Sequence, residues 1–363
     1  MDKKVHLYIG TYTMPIQFGT GQILEGKGKG IYHTFFDENT GFFSTPELWA
    51  ETDNPSFLAS SEDGCTVYAV NELKQYMGKE SGSISAFQVE SSSLRFLNAL
   101  STGGTDPCYV ITKRNCAYVA NFMSGSVAAY RLASDGSFQK CISFHQHVGR
   151  GLRDDRQAGP HAHAVVMTLD GTLAYVPDLG LDKVIAYRID DEGALFPETS
   201  RDLTLRSGAG PRLGTFSKDG RFFYLINELQ CSITVFSCGE NHEMKEIQTI
   251  SSLPEDIEPE ENMICAHLAL TPDGRYLYSS NRGHDSITAY YVAQDGKLHF
   301  RENQSCGGKT PRHFSITPTG RFLLCSNQDT DNVVCFELQE NGSLRKHSET
   351  GVPTPVCVLS MDE

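Results

Sequence analysis

Five stretches of this chain repeat one arrangement of apolar and polar positions: SEDGCTVYAVNE, TLDGTLAYVPDL, SKDGRFFYLINE, TPDGRYLYSSNR and TPTGRFLLCSNQ. In each, a turn closes on glycine, a short apolar run alternates after it, and asparagine or aspartate ends the run. A sixth stretch, ITKRNCAYVANF, follows the same order without the glycine, its turn one residue shorter. Alternation with a period of two sends successive side chains to opposite faces, so each run predicts a strand in a packed sheet. A second alternating run follows each of them: SISAFQV, SVAAYRL, KVIAYRI, SITVFSC, SITAYYV and NVVCFEL. A polar turn and a weaker strand come next, as in DGSFQKCISF and DGKLHFRE.

Another short strand is predicted before each glycine turn, usually opened by proline. The openings are Asn54-Pro55, Asp106-Pro107, Gly159-Pro160, Gly210-Pro211, Ile264-Cys265, Thr310-Pro311 and Thr354-Pro355. Proline suits the first position of a strand, where its missing N–H is not needed. Seven openings spaced about 50 residues apart, with four short strands each, predict a seven-bladed β-propeller. The last opening supplies one strand only, and the N-terminal stretch from VHLYIGTYT to TPELW supplies the three others. The ring is therefore expected to close by pairing the C-terminal inner strand with N-terminal strands, which removes exposed sheet edges. The expectation is all-β, four antiparallel strands per blade, with residues 1–363 a single domain. The best helix candidate, SSLPEDIEPEENMICAHL, is broken by Pro254 and Pro259 and reads as an acidic loop.

Charge narrows the partners. The net charge is −14 and no run of lysine and arginine offsets it, which argues against nucleic acid. No apolar run reaches the ~18 residues of a spanning helix. The start, MDKKVHLYIGTYT, lacks the apolar core of a secretion signal, so a cytoplasmic protein is expected. The eleven cysteines are scattered without a C-x-x-C pair, and read as reduced, mostly buried thiols. None is assigned a disulfide, a metal or a nucleophilic role.

The unusual side chains collect at two repeated places that a propeller brings to one face of its disc. One is the start of each blade's first strand, eight residues before the turn glycine. It holds Ser56, His163, Arg212, Ala266 and Arg312, with Cys108 in the shortened blade. One residue further in stand His267 and His313, and His161 precedes His163 by two. The other place, at the end of the second strand, holds Glu72, Phe122, Leu179, Glu228, Arg282 and Gln328. Positions that serve packing alone would look alike from blade to blade, whereas these diverge. Arg212, Arg282 and Arg312 offer forked donors to a carboxylate or phosphate. Glu228 and the histidines suit proton transfer near neutral pH. The site expected is one for a small anionic, oxygen-rich molecule. The polar stretch 145–159 is long for a blade connection and is expected to lie over that face.

GPHAH, GPR followed by YLINEL, YSSNRGHDSI, KTPRHFSITPTGRFLL and VPTPVCVL resemble the lactonase family of seven-bladed propellers, which includes 6-phosphogluconolactonases and carboxy-cis,cis-muconate lactonising enzymes. The resemblance runs from YIGTYT to the last strand. It implies that His161 or His163, Arg212, Glu228 and Arg282 carry the chemistry; His267, His284, Arg312, His313 and Gln328 are expected around the substrate. The chain departs from the family pattern at Leu213, where a histidine is common after the arginine. It departs again at Ile264 and Cys265, where an acid often stands two or three residues before the histidine of CAHL.

The function expected is hydrolysis of a sugar lactone, 6-phosphogluconolactone first, in carbohydrate metabolism and the pentose phosphate pathway. No cofactor is required. The alternative is a cycloisomerase closing a lactone on an unsaturated dicarboxylate. A non-enzymatic protein-binding propeller is the third reading, and would place exposed aromatics where charged groups cluster. His161 and His163 have the spacing of a chelating pair, but no third and fourth ligand accompanies them and no metal is assigned. Glu72 repeats the NEL context of Glu228 and stands behind it because Glu228 has Arg212 as its neighbour. The sequence does not indicate an oligomeric state.

Overall fold

The computed structural model describes residues 4–17 and 23–362. The fold is an all-β, seven-bladed propeller built of four-stranded antiparallel sheets. Strand Pro355–Asp362 pairs with Lys4–Thr11, which pairs with Gly30–Asp37, so one sheet draws on both ends of the chain. The outermost strand of that sheet is split in two, as is that of the blade running from Val166 to Thr204. Two small hairpins, Ile16–Gln17 with Ile23–Leu24 and Gln75–Tyr76 with Lys79–Glu80, lie outside the predicted pattern. The reading of the first residues as lacking a signal falls partly on 1–3, outside the described residues.

The backbone groups into two compact units. One comprises Met1–Tyr8, His33–Glu47 and Pro211–Glu363, the other Ile9–Tyr32 and Leu48–Gly210. The same local rules build the blades of both. At the glycine turns the aspartate side chain accepts the N–H two residues on, as Asp63 does from Cys65 and Asp219 from Arg221. Glycine then takes a positive φ, near 70° at Gly64 and Gly220. Second strands such as Thr66–Asn71, Cys116–Asn121 and Phe322–Asn327 are buried throughout.

In five second strands an asparagine at or next to the last position is a buried staple, and Asp178 takes that place in the blade of the paired histidines. Asn281 donates to the Ser252 carbonyl, Ser286 Oγ and Thr288 Oγ1, and Asn227 to Ser232 Oγ and Thr234 Oγ1. Asn71, Asn121 and Asn327 bind their surroundings likewise. Such amides bring several donors and acceptors to sites where unpaired polar groups would be costly.

The first strands are not regular. Pro211 pairs with Asn227 and Leu213 with Ile226, which leaves Arg212 as an extra residue. The same bulge leaves out Ser56, Cys108 and Arg312, and in one blade both Ala266 and His267. A bulge turns side chains away from the ordinary alternation, so strand parity does not set where these residues point. The blade containing the paired histidines departs further. The strand expected to open at Pro160 does not form; a single bridge joins Ala162 to Asp178, and the strand proper is Val166–Met167. The Asp178 carboxylate explains this, because its Oδ1 takes the N–H of His161 and of Gly180. The stretch 145–159 is anchored: His147 is buried against Asp178 and Tyr187, and Gln157 bonds the Leu179 carbonyl and Asp182.

Candidate active site

Three charged side chains meet in the unit that contains Pro211–Glu363. Arg212 comes from the bulge, Glu228 follows strand Phe222–Asn227, and Arg282 ends strand Tyr276–Arg282. All three are buried. Glu228 Oε2 accepts from Arg212 Nη1 and lies 2.9 Å from Arg282 Nη2. Buried charges are tolerated when paired and hydrogen-bonded, and backbone carbonyls at the start of strand Ile264–Leu270 supply further acceptors. Arg212 Nε donates to the Ala266 carbonyl at 2.6 Å, and Arg282 Nη2 to the Cys265 carbonyl at 3.0 Å. The Cys265 N–H in turn donates to the Glu228 carbonyl at 3.1 Å. Two guanidiniums against one carboxylate leave a net positive charge in a site screened from water.

His267 and His313 pack beside Arg212, their rings 4.0 Å apart. Burial, then the charges of Arg212 and Arg312, pushes the His313 imidazole down to about 3. Burial, His313 and Arg212 hold His267 well below the usual histidine range. The Val358 N–H donates to His313 Nδ1 at 3.2 Å, which leaves its proton on Nε2. Both rings are therefore neutral near pH 7, so they offer hydrogen bonds and not a charge. Arg312 is half-buried in its own bulge. Gln328 is buried, and its Oε1 meets no partner among the described residues. His284 bonds Ser286 Oγ at 2.7 Å in the turn after Arg282.

The paired histidines belong to the other unit. His161 stacks on Phe122 with its Nδ1 3.0 Å from the Phe122 carbonyl oxygen. His163 meets the edge of the same ring, with Nδ1 3.7 Å from Cys108 Sγ. Gly180 packs behind them: a Cβ there would stand 1.9 Å from the Gly159 carbonyl oxygen and 3.0 Å from the His161 nitrogen.

Two features escaped the sequence. The first is the platform Cys265-Ala266, whose peptide groups hold both arginines and Glu228; backbone roles leave no signature in side-chain identity. The second is Asp106 in the unit of the histidines. It is buried, and its Oδ2 has no partner among the described residues. Burial and the nearby Glu72 carboxylate raise it to about 7. Glu72 itself accepts from Tyr12 Oη at 3.0 Å.

Residues 6–360 match the family model described as a lactonase, 7-bladed beta-propeller. The chain belongs to this family, and its membership implies ester hydrolysis of the lactonase type. It is 34% identical over 311 residues to a protein named 6-phosphogluconolactonase in Bacillus subtilis strain 168, spanning 84% of this chain and 83% of that one. Its structure is similar to that of the periplasmic gluconolactonase of Pseudomonas aeruginosa, with TM-score 0.89, 30% identity and 99% of each chain covered. A Bacteroides fragilis NCTC 9343 protein, provisionally named a 6-phosphogluconolactonase, matches with TM-score 0.90 and 32% identity over 99% of each chain. Among the described residues no helix is long and apolar enough to cross a membrane.

Proposed function

We propose that this chain hydrolyses the ring ester of a six-carbon sugar-acid lactone, with 6-phosphogluconolactone as its substrate. The observation that carries the reading is the pair Arg212 and Arg282 on one oxygen of Glu228. A positive, buried, pre-aligned set of N–H donors favours an oxygen on which negative charge develops. In the reaction, water oxygen bonds to the lactone carbonyl carbon while the carbonyl π electrons move onto oxygen. That oxyanion is held by guanidinium N–H groups. Its collapse breaks the bond to the ring oxygen, which leaves with a proton as the sugar hydroxyl. Glu228 keeps the two guanidiniums in register. Activation of the water falls to Glu228 or to a histidine of the GPHAH stretch, the group that the family resemblance indicates.

The name of the Bacillus relative supports a phosphorylated substrate, and Arg312 adds a further cation for it. The name of the Pseudomonas relative supports a lactone without phosphate. The eleven cysteines, scattered without a C-x-x-C pair, support a reducing, cytoplasmic setting, and a sugar-acid lactone as substrate supports a place in carbohydrate metabolism.

The test supplies purified protein with freshly generated 6-phosphogluconolactone and follows acid release above the spontaneous rate. Glucono-1,5-lactone and a carboxymuconate run in parallel. Faster opening of the phosphorylated lactone upholds the proposal. Preference for glucono-1,5-lactone overturns the substrate, and lactone formation from the carboxymuconate alone overturns the direction of the reaction.

A further inference from the structure

We propose that Gln328 is a specificity-determining residue that accepts a hydrogen bond from a hydroxyl group of the substrate, so that the site takes polyhydroxylated lactones and rejects analogues lacking that hydroxyl. The proposal rests on the lactone reading given above. Gln328 opens a short 3-10 turn, Gln328–Thr330, directly after the second strand Phe322–Asn327.

Strand register places this residue with the charged cluster. Pro211 pairs with Asn227, Arg212 is bulged out, and Glu228 follows the strand. In the same way Pro311 pairs with Asn327, Arg312 is bulged out, and Gln328 follows. Gln328 thus holds in the blade of Arg312 the place that Glu228 holds in the blade of Arg212, where the two side chains touch. His313, next to Arg312, packs its ring 4.0 Å from that of His267, whose titration feels Arg212. An amide in the place of a carboxylate cannot neutralise a guanidinium. What it adds is a neutral acceptor.

The turn fixes which way the amide faces. The Gln328 N–H donates to the Thr310 carbonyl at 3.1 Å, the Asp329 N–H to the Lys309 carbonyl at 3.3 Å, and the Lys309 N–H to Thr330 Oγ1 at 3.0 Å. The Thr310 hydroxyl donates to Asp329 Oδ2 at 2.5 Å, and Gln328 Nε2 donates to Asp329 Oδ1 at 2.9 Å. A carboxylate only accepts, so the amide nitrogen must face Asp329 and the amide oxygen is left for another group. Gln328 is 3% exposed, and its Oε1 meets no partner among the described residues. A buried acceptor in that condition is costly, and a donor on a ligand removes the cost.

The chemistry of that donor is narrow. Carboxylates, phosphate oxygens and the lactone carbonyl only accept, so none of them pairs with Oε1. A hydroxyl donates. A sugar-acid lactone carries hydroxyls around its ring, whereas an unsaturated dicarboxylate carries none and would set oxygen against oxygen. Gln328 therefore separates the two substrate classes by polarity and not by size.

The experiment measures kcat/KM of wild type and Gln328→Met with 6-phosphogluconolactone and its 2-deoxy, 3-deoxy and 4-deoxy analogues. Methionine keeps the length of the side chain and lacks the acceptor; circular dichroism checks the fold. Gln328→Asn, which withdraws the acceptor by a methylene, takes its place if methionine is not tolerated. In wild type one deoxy lactone is expected to lose about 10–100-fold against the parent. The variant is expected to lose a similar factor on the parent and nothing further on that analogue. Equal losses for the analogue in both proteins, undiminished turnover of the parent by the variant, or deoxy lactones opened by wild type as fast as the parent would each overturn the proposal. Calorimetric titration with 6-phosphogluconate and the matching deoxy acids reads the same cycle without catalysis. Weakened binding of one deoxy acid, in a protein that opens no lactone, upholds the hydroxyl contact and rejects the function. Uniform binding of the acids in a protein that does open the lactone rejects the contact and keeps the function. Absence of both turnover and binding overturns both.

Discussion

Arg282 Nη2 lies 2.9 Å from Glu228 Oε2, the same oxygen that binds Arg212 Nη1. A lysine in place of either arginine keeps the charge and loses the fork, so it cannot hold both Glu228 and the backbone carbonyl. Arg212→Lys and Arg282→Lys are expected to lower kcat/KM by about 10²–10³. Arg212→Ala, which strips a buried carboxylate of a partner, is expected to cost a further ~3–5 kcal/mol of stability. Lactone turnover and urea unfolding of the three variants check this. Full turnover in both lysine variants would remove the cluster from the reaction.

Asp106 makes stability fall as pH rises. Its carboxyl titrates near 3.8 in the unfolded chain and near 7 in the fold. Between these values the folded state binds more protons, so raising pH through the window removes up to about 4 kcal/mol. Asp106→Asn is expected to abolish that slope. The substitution suits the site, because Asn54 already occupies the equivalent pre-proline position with the same positive φ sign. Urea melts at about pH 5 and pH 8 measure the difference.

His313 acts in the opposite sense. Its ring titrates near 6.5 when unfolded and about 3 when folded. The unfolded chain then binds more protons between those values, so stability is lost as pH falls below 6.5. His313→Asn places an amide oxygen where Nδ1 accepts the Val358 N–H and has no charge to gain. Acid unfolding of this variant should begin at lower pH, and circular dichroism along a pH series reads it.

Gly180→Ala tests whether the placement of His161 matters. The added Cβ meets backbone, the Gly159 carbonyl oxygen at 1.9 Å, and forces the segment before His161 to move. Turnover is expected to fall by about 10²-fold with a stability loss of ~1–3 kcal/mol. Restoration of glycine with a separate His161→Ala change distinguishes movement of this histidine from loss of packing. Equal turnover in His161→Ala and wild type would leave His163 as the ring that matters.

The blades were legible because glycine turns, proline openings and terminal asparagines are local signals with local causes. Asp63 and Gly64, for example, form their turn without help from distant residues. The positions of Arg212, Glu228 and Arg282 followed from the repeat and their partnership from the family resemblance. What the repeat concealed was the bulge at Arg212, since one unpaired residue leaves apolar alternation nearly intact. The loss of the strand at Pro160 was hidden for another reason: the competing bonds come from Asp178, a residue that reads as one more strand terminus.

The bulge and the asparagine staple divide labour between adjacent residues. Arg212, Arg312, Ser56 and Cys108 stand outside the register pairing of their strands. A substitution at such a place leaves the ladder of its blade intact, so new specificities are reachable in single steps without refolding the sheet. Directed libraries confined to Ser56, Cys108 and Arg312, which leave the Arg212–Glu228 pair in place, should retain soluble, folded protein far more often than libraries of equal size spread over the strands between them.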